Sequence, residues 1–189
     1  MSQMKSGTLH IGLSSCHDWH DKLKFEYVRL VSSQYKEKYD ILNFIITAYH
    51  LNDDWLSKDT KTRPKLANSK RGSAPSEMRE IVQAIKDLAN GNKHMELDKR
   101  SSAKRVVGDV QSSARESSFY SYFLGPHFGI PIGGKSFYIV PTFADLIMNY
   151  FEWIFDDSIP ANNFPEKLSE SLARASERRY RLKRQLIFP

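Results

Sequence analysis

Apolar residues recur at intervals of three and four along most of this chain, and polar or Gly- and Pro-bearing stretches separate the runs. Trp19, Leu23, Tyr27 and Leu30 mark one face of a first predicted helix, with Asp18 as its N-cap and an end near 34–38. Asp40 predicts the cap of a second helix. Its stripe is Ile41, Phe44, Ile45, Ala48, Leu51 and Trp55, and it frays by Lys58. Residues 58–73 are polar and cationic and contain Pro64 and Gly72, which predicts an exposed loop. A third helix begins at Ser73 or Ser76 with Pro75 in its first turn, and buries Met78, Ile81, Val82, Ile85, Leu88 and Ala89. Gly91 terminates it or sits in its last turn.

The pattern then changes. Residues 96–117 are charged and Ser-rich, hence loop-like. Phe119 to Leu124 and Phe137 to Val140 are aromatic and β-branched, which predicts two short strands with a turn at Gly133 and Gly134. Thr142 predicts the cap of a fourth helix buried through Phe143, Leu146, Ile147, Tyr150, Phe151 and Ile154. Pro160 breaks the chain, and a fifth helix follows from Pro165 with Leu168, Leu172, Ala175, Leu182 and Leu186 on one side. The expected fold is mainly α: a four- to five-helix bundle with a small inserted β-hairpin. Its parts are a loose N-terminal arm over 1–16, a bundle over 17–157 with the hairpin at about 118–140, and a basic C-terminal helix over 163–189.

Composition narrows the class. Apolar residues are 40% of the 189, enough for a core, and no run approaches a membrane span. Cys16 is the single cysteine, which excludes an intrachain disulfide. With no apolar leader in Met1 to Gly12, these features predict a cytoplasmic protein without membrane contact. The net charge of +6 favours anionic partners, and RNA is the one expected. The cations that would meet phosphate are Lys61, Arg63, Lys70 and Arg71 in the 58–73 stretch, and Arg178, Arg179, Arg181 and Arg184 near the C-terminus. A solvating surface is the plainer reading of the same residues.

Two polar constellations carry candidate chemistry. Asn43, Thr47, His50 and Asp54 follow one another at helical spacing on the side of the second helix away from its apolar stripe. His50 and Asp54 touch at i, i+4; a carboxylate there orients an imidazole and favours its charged form for proton transfer. Asp87, Asn90 and His94, with Lys93 adjoining, form the second set at the end of the third helix. A solvated helix face and an ordinary helix C-terminus are the bland readings of the two. His17 and His20 sit three residues apart, and adding His50 would make a metal-dependent alternative. The spacing supplies no third ligand, so no metal and no cofactor is expected. Phosphate-loop, dinucleotide, serine-hydrolase and zinc-protease motifs are all missing from the sequence.

The segments AYHLNDDW and DLANGNKH together resemble a group of uncharacterised bacterial helical proteins that are similar to the HEPN superfamily, over roughly residues 38–97. The resemblance implies a homodimeric bundle acting as a metal-independent ribonuclease in bacterial defence or toxin–antitoxin systems. His94 matches the signature histidine, as general acid or base. The positions of the signature arginine hold Asp87, Leu88 and Ala89, none of them basic. Asn90 stands for the polar residue of the signature, and Lys93 or Lys86 supplies charge in place of the arginine. In that scheme Lys93 and Asn90 contact phosphate and His50 with Asp54 assists. A guanidinium suits a pentacoordinate phosphate better than an ammonium does. The competing reading is therefore a catalytically inactive scaffold that engages a protein or nucleic-acid partner through the C-terminal helix or the β-hairpin.

Overall fold

The computed structural model describes residues 12–32, 38–93, 111–112, 128–132, 135–138 and 142–174, and these are mainly helical. The first helix, α1 (Cys16–Ser32), starts three residues before the expected Trp19. Its cap is Ser15, whose Oγ accepts the Asp18 N–H at 3.1 Å and whose carbonyl accepts the Trp19 N–H at 3.2 Å. Asp18 is not the cap. From inside the first turn its carboxylate accepts the Ser14 N–H at 2.9 Å, one residue before the cap. Cys16 donates its backbone N–H to Thr62 Oγ1 at 2.7 Å and is fully buried, so the expected loose arm stops short of it.

The second helix, α2 (Lys38–Tyr49), already contains Asp40, which is therefore no cap either. Its carboxylate instead accepts the Arg29 guanidinium at 2.8 Å and ties α2 to α1. Ile41, Phe44, Ile45, Ala48 and Leu51 are buried as their spacing predicts. Thr47 departs from the expected solvent-facing stripe. It is buried and accepts the Lys22 ammonium at 2.7 Å, while the same ammonium donates to Glu26 at 2.9 Å.

The helix then widens. Over His50–Trp55 it follows a π-helical course, and the Leu56 N–H reaches back five residues to the Leu51 carbonyl. One extra residue in the turn rotates the apolar face by one position, so Leu56 fills the core slot expected for Trp55, which is left half-buried. A last turn, α3 (Leu56–Lys58), ends the rod where Asp59 donates to the Trp55 carbonyl at 2.9 Å.

The expected 58–73 loop contains a helix, α4 (Ala67–Ser73), with Pro64, Ala67 and Lys70 buried. Sequence polarity misleads here because Lys70 faces inward. Its Nζ donates to the Trp153 carbonyl at 2.6 Å and the Asp156 carbonyl at 2.5 Å, and lies 5.6 Å from the centre of the Trp153 ring. It completes the C-terminus of another helix, where exposed carbonyls favour a cation. Asp157 fixes the preceding loop by accepting the N–H groups of Lys65 and Leu66.

Next comes α5 (Ser76–Lys93), which buries Met78, Ile81, Ala84, Ile85, Leu88 and Ala89. Pro75 precedes the helix and lends its carbonyl to the Arg79 N–H at 3.0 Å; Gly91 lies in the last turn. The most apolar element is α6 (Ala144–Phe155). Phe143 occupies its flanking position with helical backbone and no side-chain cap, so the expected Thr142 cap is not formed. Phe143, Leu146, Ile147, Tyr150, Phe151, Trp153 and Ile154 are all buried, which places α6 at the centre of the bundle against α1 and α4, with α2 packed between α1 and α5. Ile132 joins this core, and so does Leu168 on the helix that opens at 166 and is described to 174. The expected strand over 119–124 and the cations beyond 174 lie outside the described residues.

Candidate functional site

The π-helical turn presents two different polar faces. On one, His50 Nδ1 lies 2.7 Å from Asp54 Oδ2, and Lys58 Nζ donates to Asp54 Oδ1 at 2.5 Å. Burial raises the Asp54 carboxyl, but the bonds from Lys58 and His50 outweigh it and hold the group below the usual carboxylate range. The same contact raises the Lys58 ammonium. The His50 ring packs between Trp19 and Tyr49, with centroids 5.6 Å and 5.2 Å away. The carboxylate contact at Nδ1 fixes the orientation of this imidazole.

The other face carries Asn52 and Asp53. They open onto a cleft of about 380 Å³ whose remaining walls are Arg71 and Gly72 of α4, Arg79, Val82, Gln83 and Lys86 of α5, and Tyr150 of α6. Asp53 pairs with Lys86 at 2.8 Å, and Asn52 Nδ2 donates to Asp53 Oδ1 at 2.7 Å. Among the described residues the buried Asn52 amide oxygen has no hydrogen-bond partner. At the base, Arg71 hydrogen-bonds the Tyr150 hydroxyl; burial, partly offset by Arg71, moves that phenol up to about 12, so it stays neutral. Among the described residues neither Arg71 nor Arg79 has a carboxylate partner. Three cations and one carboxylate therefore line one concave surface, a charge balance suited to an anion.

This arrangement sorts the residues singled out from sequence. Arg71 lines the cleft, whereas His50 and Asp54 are not among its lining residues. Lys61 is exposed, and its N–H donates to Asp59. Arg63 donates to the Leu56 carbonyl at 3.0 Å and so closes the end of α3. Lys70 is withdrawn from the set of phosphate contacts, because its ammonium is fully buried and already bonded to two carbonyls. Asn90 is half-buried on α5; His94 lies outside the described residues, as do Arg178, Arg179, Arg181 and Arg184. His20 is buried and stacked on Phe155, 4.0 Å between centroids, and His17 meets the edge of the same ring. Among the described residues no three metal-ligating side chains converge.

Sequence reasoning missed Asn52, Asp53, Arg79 and Gln83. Arg79, Gln83 and Lys86 follow i, i+4, i+7 along α5, a polar stripe beside the apolar one that spacing alone would have revealed. No family model, no curated protein and no solved structure matches the chain.

Proposed function

We propose that this chain is a helical RNA-binding module whose cleft receives a phosphate-bearing group. The observation that carries the reading is the convergence of Arg71, Arg79 and Lys86 from two helices on one concave wall, with Asp53 the one carboxylate among its described lining residues. Guanidinium groups fork onto phosphate oxygens and gain most where water is partly excluded. The test is fluorescence anisotropy of a labelled single-stranded RNA over a salt series. Arg79→Ala is expected to weaken binding by roughly 3- to 10-fold and to reduce the salt slope by about one. Affinity and slope equal to wild type would remove the cleft from RNA recognition.

The ribonuclease reading rests on a different observation, the His50–Asp54 hydrogen bond beside Lys58. Under it the protein acts as a cytoplasmic HEPN-like homodimer in bacterial defence or toxin–antitoxin biology, with His94, Asn90 and Lys93 as further site residues. RNA incubated with the protein in chelator should then be cut, and both His50→Ala and His94→Ala should slow cleavage at least 100-fold, the scale of general acid–base catalysis. Uncut RNA leaves the binding reading alone.

The antiparallel pairing of Phe128–Ile132 with Lys135–Tyr138, with Ile132 opposite Lys135, supports a small hairpin placed before α6. With the C-terminal helix it is the surface we assign to a protein partner.

A further inference from the structure

The cleft is chemically unequal along its length. Arg79 and Lys86 are seven residues apart on α5, so their backbone positions lie about 10 Å apart along the helix axis. Arg79 belongs to the first turn of this 18-residue helix, where the helix dipole favours an anion. Arg71 and Gly72 come from α4, which ends a few residues before α5 begins, so they border the Arg79 end. The opposite end is different. There Lys86 is occupied by Asp53, Asn52 adjoins Asp53, and Gln83 donates to Asp87 at 3.1 Å. That end offers carboxylate and amide oxygens, which are acceptors for N–H and O–H donors.

We infer that the cleft is a single-nucleotide site: a phosphate lies at the Arg71–Arg79 end, and the ribose hydroxyls or base edge meet Asn52, Asp53 and Gln83. The inference rests on the phosphate-binding reading of the same cleft and deepens it. Size agrees, because about 380 Å³ is at the small end of the range for small-molecule pockets and too little for several stacked nucleotides. Phosphate alone would leave the acceptor end unanswered, and a nucleoside alone would leave two guanidiniums without an anion. A free nucleoside monophosphate and the phosphorylated end of an RNA strand share this chemistry.

Gly72 gives a direct steric test. A Cβ built there meets no heavy atom within 4 Å, so a larger side chain enters open space without displacing packed atoms. Calorimetric titration of the full chain compares the four ribonucleoside 5′-monophosphates with the matching nucleosides and with inorganic phosphate. At least one monophosphate is expected to bind tenfold or more tightly than both its nucleoside and phosphate. Gly72→Leu should abolish that binding with an unchanged circular-dichroism melt, and Arg79→Ala should erase the advantage of nucleotide over nucleoside. If Gly72→Leu melts early, Arg79→Ala and the wild-type ligand comparison still decide.

Competition between a monophosphate and a 5′-phosphorylated oligoribonucleotide identifies the strand end as the source; binding of the monophosphate alone identifies the free nucleotide. Equal affinity for phosphate and every monophosphate, equal affinity for nucleotide and nucleoside, or no binding of any of them overturns the single-nucleotide site. RNA that binds through Arg79 without any such preference sinks this inference and spares the RNA-binding reading. Monophosphate binding without RNA binding does the reverse.

Discussion

Two buried polar side chains show how strongly a single residue can be committed by its surroundings. Lys70 is enclosed and bonded to the Trp153 and Asp156 carbonyls at the end of α6. Burial lowers its pKa, with Asp156 and Asp157 opposing the shift. Lys70→Met keeps the aliphatic stem but leaves both carbonyls unpaired, and should destabilise the fold by about 1–3 kcal/mol in urea denaturation. His20 behaves differently. Burial, together with Lys24 and His17 and against Asp21, takes its pKa from 6.5 down to about 4, while Glu152 stands 3.6 Å away. The folded state thus holds the neutral imidazole, and protons bind the unfolded chain first. Stability from this residue is complete above pH 6.5 and is lost as pH falls toward 4, by roughly 2–3 kcal/mol. His20→Phe retains the stack on Phe155 and should flatten the stability profile in that window, as followed by thermal melts.

At the scale of elements, the apolar stripes of α1, α2, α5 and α6 were legible because burial on one face imposes a period near 3.6. What spacing did not show is where that period breaks. Leu56 is buried and Trp55 half-buried only because the Leu56 N–H reaches Leu51 across a π-turn. Nothing in HLNDDW distinguishes a π-turn from an α-turn, since the choice follows from packing further along the rod. Leu56→Ala should therefore empty a core slot that ordinary helical spacing assigns to Trp55. The expected loss is about 2–5 kcal/mol, the range for emptying a buried leucine site, read from the urea midpoint. The helix α4 was illegible for a related reason. ANSKRGS has almost no apolar content, and its buried residues are an alanine and a lysine. The caps Asp18 and Asp40 were misplaced because acidic residues serve equally well inside a first turn.

Over the whole molecule, charge divides into a cleft that folding builds and cations that sequence alone locates near the C-terminus. The His50–Asp54 contact was readable from i, i+4 spacing; the cleft was not, because it joins residues 52, 71, 79 and 150, which only the tertiary fold brings together. Removing residues 175–189 takes away Arg178, Arg179, Arg181 and Arg184 but keeps Leu168 and Leu172 against the core. If those arginines meet RNA, the salt slope of binding should fall by up to about three. A slope equal to the full chain would assign RNA affinity to the bundle.

The enclosure of Lys70 also makes it a clock. Amine-reactive acylating reagents need a free, exposed ε-amino group, and in the closed fold this one is fully covered and hydrogen-bonded. Mass spectrometry of briefly acetylated protein should find Lys61 and Lys65, both at the surface, modified early and Lys70 late. The lag at Lys70 then measures how often α4 lifts from the end of α6, a local opening that a global melt does not resolve.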